Sequence, residues 1–188
     1  MKTSKLFIAI VLLSFVTSNA QITKGNWMMG GNLSLSESES GYYDASTSQN
    51  FKASRLLVNG SIGYFPIDKL AVGVSPYFSW SNPEGSKNSG IGYGFGPFAR
   101  YYYLKPEKRY NIFSHLEYIY YTGYSNGKKI SNTNQFGIKN GVAIFLNSSV
   151  ALELSLNYNN SKVSSESGSE SKFKEFNIGV GFQIHLEK

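Results

Sequence analysis

The chain has 188 residues, of which 41% are hydrophobic, 15% aromatic and only 16% charged, with 19 Gly and no Cys. That length and aromatic content exclude wholesale disorder and leave room for one ordinary domain. The missing Cys excludes a disulfide scaffold, a thiolate metal site, a Cys nucleophile and thioether lipidation, and two His make a His-rich metal centre a poor fit.

Residues 1–20 read as a secretory signal rather than as part of the fold. Lys2 and Lys5 precede the apolar run 6–16, and small residues then lead up to Ala20, after which cleavage is expected. The apolar run is too short to span a bilayer as a helix. Removing this segment takes away Lys2 and Lys5 and leaves 16 basic against 12 acidic residues, a charge of +4 (from 18 and 12). These charges are scattered without a basic stripe, so nucleic acid is not an expected partner.

The mature chain, 21–188, alternates with a period of two. Residues 26–36 and 53–65 follow this rule imperfectly. From Leu70 the even positions Leu70, Val72, Val74, Pro76, Phe78 and Trp80 are all apolar, while the odd positions are Ala71, Gly73, Ser75, Tyr77 and Ser79. Residues 91–104, 111–124 and 134–146 repeat the rule, also imperfectly. From Val150 the apolar set is Val150, Leu152, Leu154, Leu156 and Tyr158, and the last segment carries Phe176, Ile178, Val180, Phe182, Ile184 and Leu186 on one phase. Pro76 and Pro97 fall inside these segments, where each removes a ladder donor and is expected at a bulge.

These eight segments are roughly 10 to 14 residues long, against about 5 or 6 in a typical globular strand. A tilted strand crosses a membrane in about 9 to 11 residues. Short links at 66–69, 105–110 and 147–149 alternate with polar links at 37–52, 82–90, 125–133 and 160–171. Short turns at one end and long loops at the other give the layout of an outer-membrane barrel, with the short ends toward the periplasm. The fold class expected is all-β, an eight-stranded antiparallel up-and-down transmembrane barrel.

A soluble sandwich or a lipocalin-like barrel also alternates, but the second phase here is mostly Gly, Ala, Ser and Asn with few charges. Small residues suit the crowded inside of a narrow barrel, so the apolar phase faces outward. Aromatics on that phase fall in two bands. Tyr64, Tyr101, Tyr103 and Phe182 lie toward the short turns, and Trp80, Tyr120, Tyr124, Tyr158 and Phe176 toward the long loops, as interfacial girdles require.

Several stretches then resemble the small outer-membrane β-barrel superfamily of Gram-negative bacteria, of OmpA/OmpX type. Tyr64-Phe65-Pro66-Ile67-Asp68-Lys69-Leu70-Ala71-Val72-Gly73 resembles a strand–turn–strand of that family, and Gly96-Pro97-Phe98-Ala99-Arg100-Tyr101-Tyr102 its fourth strand. Gly141-Val142-Ala143-Ile144-Phe145-Leu146, leading to Val150-Ala151-Leu152-Glu153, resembles its sixth and seventh strands. The chain departs from the family in its ending, His185-Leu186-Glu187-Lys188, where members commonly finish on an aromatic residue. The resemblance implies an integral protein of the outer membrane that meets outer-membrane lipid and lipopolysaccharide, with the barrel-assembly machinery as a partner during insertion.

The candidate site is a set of inward-phase charges: Arg55, Arg100, His115, Glu117, Lys139 and Glu153. Pairing through the 105–110 turn puts Arg100 opposite His115 and diagonal to Glu117, and pairing through 125–133 puts Lys139 diagonal to Glu117, which leaves Glu117 between two cations. An ion-pair plug in a lumen too narrow to conduct is the favoured reading, and a narrow porin-like pore is the alternative. A lipid-modifying enzyme comes third. Ser114, His115 and Glu117 offer the residue types of a hydrolase, but neighbouring strand residues face opposite ways, and His185 lies far from any suitable Ser. The Glu37/Glu39 and Glu166/Glu170 pairs lack the ligand density of a calcium loop. No enzymatic activity, metal or cofactor is expected. The expected role is structural or surface-interaction (adhesion or envelope maintenance), carried by four long loops, with 37–52 and 160–171 as the candidate contact segments.

Overall fold

Period-two alternation over long segments can satisfy every backbone donor only if the strands pair edge to edge and the last returns to the first. The computed structural model, which describes residues 22–44, 47–83 and 89–187, has that arrangement. Eight strands follow one another: β1 (Trp27–Asp44), β2 (Thr47–Ile67), β3 (Leu70–Pro83), β4 (Gly90–Tyr102), β5 (Tyr110–Ser125), β6 (Lys128–Phe145), β7 (Val150–Ser165) and β8 (Glu170–Leu186). They form a closed barrel in chain order, each antiparallel to its neighbours. The signal segment 1–20 and its expected cleavage point lie outside the described residues.

The short links at 66–69, 105–110 and 147–149 gather at one end, hereafter the short-turn end. The other end is unlike the sequence expectation. The segments 37–52 and 160–171 are largely strand: β1 and β2 pair from Trp27↔Tyr64 up to Asp44↔Thr47, and β7 and β8 pair up to Ser164↔Glu170. The 125–133 link is a two-residue turn, with Ser125 paired to Lys128 and both Asn126 (φ 49°) and Gly127 (φ 74°) left-handed. That is the turn whose twist matches an antiparallel hairpin, and Asn-Gly is its best sequence. Part of the 82–90 link lies outside the described residues. The long loops expected at 37–52, 125–133 and 160–171 are therefore corrected, for the described residues, to strands that run on as ribbons.

The Pro residues also behave differently from expectation. The β2–β3 register is the same on both sides of Pro76, from Asn59↔Tyr77 to Ile62↔Val74, and the β4–β5 register is the same across Pro97, from Phe95↔Tyr120 to Phe98↔Glu117. Each Pro drops rungs from the ladder without inserting a residue, so neither sits at a bulge. The register shifts instead between Tyr64 and Ile67, around Pro66, and between Gly123 and Tyr124 near the two-residue turn.

The outer wall is apolar. Val72, Val74, Phe78, Ile112, Leu116, Val142, Leu154, Leu156, Ile178 and Val180 are exposed on it. All nine girdle aromatics stand on this outer phase and none is buried. Three further rings join them: Trp27 packs on Tyr64 with centroids 5.3 Å apart, Tyr93 stacks on Tyr124 at 5.2 Å, and Tyr110 is exposed near the short-turn end.

Candidate functional site

The inward phase is filled in layers. At the short-turn end the layer is apolar: Ile22, Met28, Phe65, Ala71, Tyr102, Phe113, Ala143, Phe145 and Ala151 are buried in one cluster with Phe98. Ile22 belongs to the short segment ahead of β1, and the β2–β3 turn pins that segment under the barrel. Its carbonyl accepts from the Lys69 amide at 2.8 Å, the Gly25 amide donates to the Phe65 carbonyl at 2.9 Å, and the Lys24 amide donates to Asp68 Oδ1 at 2.8 Å. His185, fully buried, sits among this layer with ring centroids 5.9 Å from Phe65, 6.0 Å from Tyr102 and 5.4 Å from Phe145. Large rings here stand out from a mostly small inward phase, and with the segment that carries Ile22 they close this end.

The charged layer lies directly above. Arg100 on β4 reaches across the lumen to β7, where its Nη1 donates to Glu153 Oε1 at 2.5 Å. The same nitrogen lies 3.2 Å from both Tyr102 Oη and Gln183 Oε1. The guanidinium also covers the Phe113 ring, 4.4 Å from its centroid. A planar fork with several donors suits such a crowded site better than an ammonium does.

Arg100 does not touch Glu117 directly. Its Nε donates to His115 Nδ1 at 3.1 Å, so that nitrogen carries no proton and Nε2 carries it instead. Nε2 then donates to Glu117 Oε2 at 3.2 Å. Glu117 takes a further hydrogen bond from Ser75 Oγ at 3.1 Å and an ion pair from Lys139 Nζ at 3.0 Å. Glu117 is thus corrected from a position between two cations to one between a single cation and a neutral imidazole. The Phe98 ring stacks on His115 at 4.8 Å and covers it.

Five of the six expected interior residues come together, joining strands β4, β5, β6 and β7. The turn-based pairings hold: Arg100 lies opposite His115, and Lys139, itself opposite His115, is diagonal to Glu117. Arg55 is the exception. It stands on the inward phase opposite Ser36 and Ser81, but it is exposed far up the barrel and outside this cluster. The sequence reading missed Gln183, Ser75, Tyr102 and His185. Their signal was the inward phase itself, which was read only for charge. Ser114, by contrast, faces out and bonds Asn140 Oδ1 at 2.6 Å, so it cannot approach His115.

Chemically the layer is a chain of matched donors and acceptors spanning the lumen. Above it Tyr77 and Tyr121 stack at 4.2 Å, and beyond them the inward positions are mostly Gly, Ser, Thr and Asn, with Leu57 and Arg55 among them. Among the described residues, Asn157 Oδ1, Asn159 Oδ1 and Gln183 Nε2 are buried without a hydrogen-bond partner.

A closed eight-stranded antiparallel barrel with an apolar wall and a packed lumen is the fold of the small outer-membrane β-barrels. Two solved structures share it at low sequence identity. One is the outer membrane protein OprG from Pseudomonas aeruginosa, with a TM-score of 0.53 and 14% identity over 90% of this chain and 100% of that one. The other is Neisserial surface protein A, with a TM-score of 0.51 and 12% identity over 86% of this chain and 97% of that one. No protein-family model and no curated protein matches the chain.

Proposed function

We propose that this chain is a non-conducting, non-enzymatic barrel of a Gram-negative outer membrane, with a structural or surface-interaction role. The observation that carries this reading is the filled lumen: the apolar floor around Phe65 and Tyr102 lies beneath the Arg100–Glu153 and Glu117–Lys139 pairs. Eight strands leave an interior that side chains fill, and these do. The apolar wall and the likeness to OprG and Neisserial surface protein A support the membrane setting.

In this reading the signal is cleaved after Ala20, the barrel-assembly machinery inserts the product, and the wall meets outer-membrane lipid and lipopolysaccharide. The ribbons that replace the expected loops, 37–52 and 160–171, are the surface-contact segments for adhesion or envelope maintenance. They are a β-rich surface rather than a set of mobile loops.

Because the chain has no Cys, single Cys probes test this directly. In intact cells, Gly127→Cys in the β5–β6 turn is expected to react with a membrane-impermeant maleimide, while Lys108→Cys at the short-turn end reacts only after permeabilisation. Recovery of the protein as a soluble periplasmic monomer, or labelling in the reverse order, overturns the proposal.

A further inference from the structure

The barrel is not sealed equally around its circumference. β1 pairs with β2 along its whole length, and β8 pairs with β7 from Val150↔Ile184 up to Ser164↔Glu170. Between β1 and β8 the ladder has only five pairs, from Trp27↔Leu186 to Gly31↔Phe182. Beyond that point, among the described residues, each strand has a neighbour on one side only. Gly31, at the fork, has a φ of 151°, a backbone setting that L side chains rarely adopt, and a Cβ there would run into the Asn59 carbonyl. The inward-phase residues Asn32, Ser34 and Ser36 above it are all exposed.

The open edges begin at the level of the apolar wall. Leu33 is 71% exposed, Leu35 74%, Ile178 70% and Phe176 68%. Hydrocarbon offers nothing to an unpaired N–H or C=O, so a sheet edge at that depth needs another strand. If the existing β1–β8 register is simply continued, Leu33 comes opposite Val180 and Leu35 opposite Ile178. Further up, Glu37 comes opposite Phe176 and diagonal to Lys174. Apolar thus meets apolar where the wall is apolar, and acid meets base above it, as cross-strand pairs favour. The two edges are complementary, yet they stand apart.

We propose that these edges are the dimer interface of this protein: two copies join side by side in the membrane, β1 of each pairing with β8 of the other above Gly31. The proposal rests on the membrane reading given above. β1 and β8 run in opposite directions, so a two-fold axis along the membrane normal gives antiparallel pairing with both copies in the same orientation. One such contact seals both open seams at once, as a closed two-fold interface should. Closure within one chain would need the β1–β2 and β7–β8 ribbons to swing together above Gly31↔Phe182. Pairing between copies leaves each ribbon where it is.

The experiment uses the Cys-free full chain in bacterial outer membranes. Chains carrying only Leu35→Cys and chains carrying only Ile178→Cys, with different affinity tags, are co-expressed and oxidised. A disulfide-linked mixed dimer is expected as the main oxidised product. The pair Leu35→Cys with Phe182→Cys, which is out of register, is expected to give at least tenfold less. Leu35→Cys and Ile178→Cys placed in one chain form the control. An intramolecular bond with no mixed dimer means the seam closes on itself, and no cross-link of either kind means the edges do not meet; either result overturns the proposal. The mass of the untagged wild type in mild detergent gives a second reading, dimeric if the proposal holds and monomeric if it fails. A heat-dependent gel shift, read on every variant, keeps failure of the dimer separate from failure of the membrane barrel.

Discussion

The two halves of this barrel are built to different rules. Toward the short turns the ladder runs all the way round, and the lumen is packed with Phe65, Tyr102, Phe113 and Phe145 under a matched set of charges. Toward the hairpins the inward residues are mostly small and polar, the β1–β8 ladder stops at Gly31↔Phe182, and the strands continue as paired ribbons. Stability therefore sits in the first half, while in the proposed reading the second is the surface-contact end. The lesson is that a narrow barrel needs to be plugged over only part of its height.

Mutations can break that contrast, and the largest effect is expected in the charged layer. Arg100→Leu leaves the Glu153 carboxylate buried without its partner and is expected to lower stability by about 3–5 kcal/mol. Arg100→Leu combined with Glu153→Leu is expected to recover most of that loss, since the desolvation cost disappears with both charges. The urea midpoint of the folded band, read by gel shift, measures both. Within the same layer, Glu117→Leu is expected to cost more than Glu117→Gln, which keeps an acceptor for Ser75 and His115; equal, unchanged midpoints would sink the plug.

In the apolar floor, Phe65→Ala is expected to cost about 3 kcal/mol by emptying a fully buried site. Toward the hairpins the effects shrink. Gly127→Ala places a Cβ in a left-handed turn residue and is expected to cost about 1 kcal/mol, seen as faster amide exchange confined to the ends of β5 and β6. A loss as large as that of Phe65→Ala would erase the distinction between the halves.

The smallest effect is a response to acid. The hydrogen bond from Lys162 to Glu170, with its opposite charge 2.7 Å away, holds the Glu170 carboxyl below its ordinary value of 4.5. A carboxyl depressed in the folded state stabilises it above the ordinary value, and that contribution fades as pH falls through the folded value. Because the pair is exposed, only slightly faster exchange at the β7–β8 ribbon end is expected below about pH 4.5, with Glu170→Gln abolishing the change.

How far the sequence spoke depended on the residues. The fold class, the outward phase and the place of the aromatics on it were legible because long half-apolar strands alternate strongly. Arg100 opposite His115 was legible because a short turn sets the register of the strands it joins. Glu153 and Gln183 were not tied to Arg100, since they lie 53 and 83 residues away and only closure of the ring brings them across the lumen. The ribbon ends were read as loops because above the membrane both phases turn polar, as in Ser-Glu-Ser-Glu at 36–39, and the contrast disappears. The Asn126-Gly127 turn carried a clear signal that composition alone obscured. Nothing in the sequence told Arg55, on the right phase but too far up, from the charges of the plug.

In the proposed reading side chains close the lumen, and a conductance measurement tests that closure. Purified, refolded protein in a planar bilayer is expected to give no steady single-channel steps at moderate voltage. Reproducible unitary steps from the wild type, with the gel shift confirming folded barrel, would contradict the account.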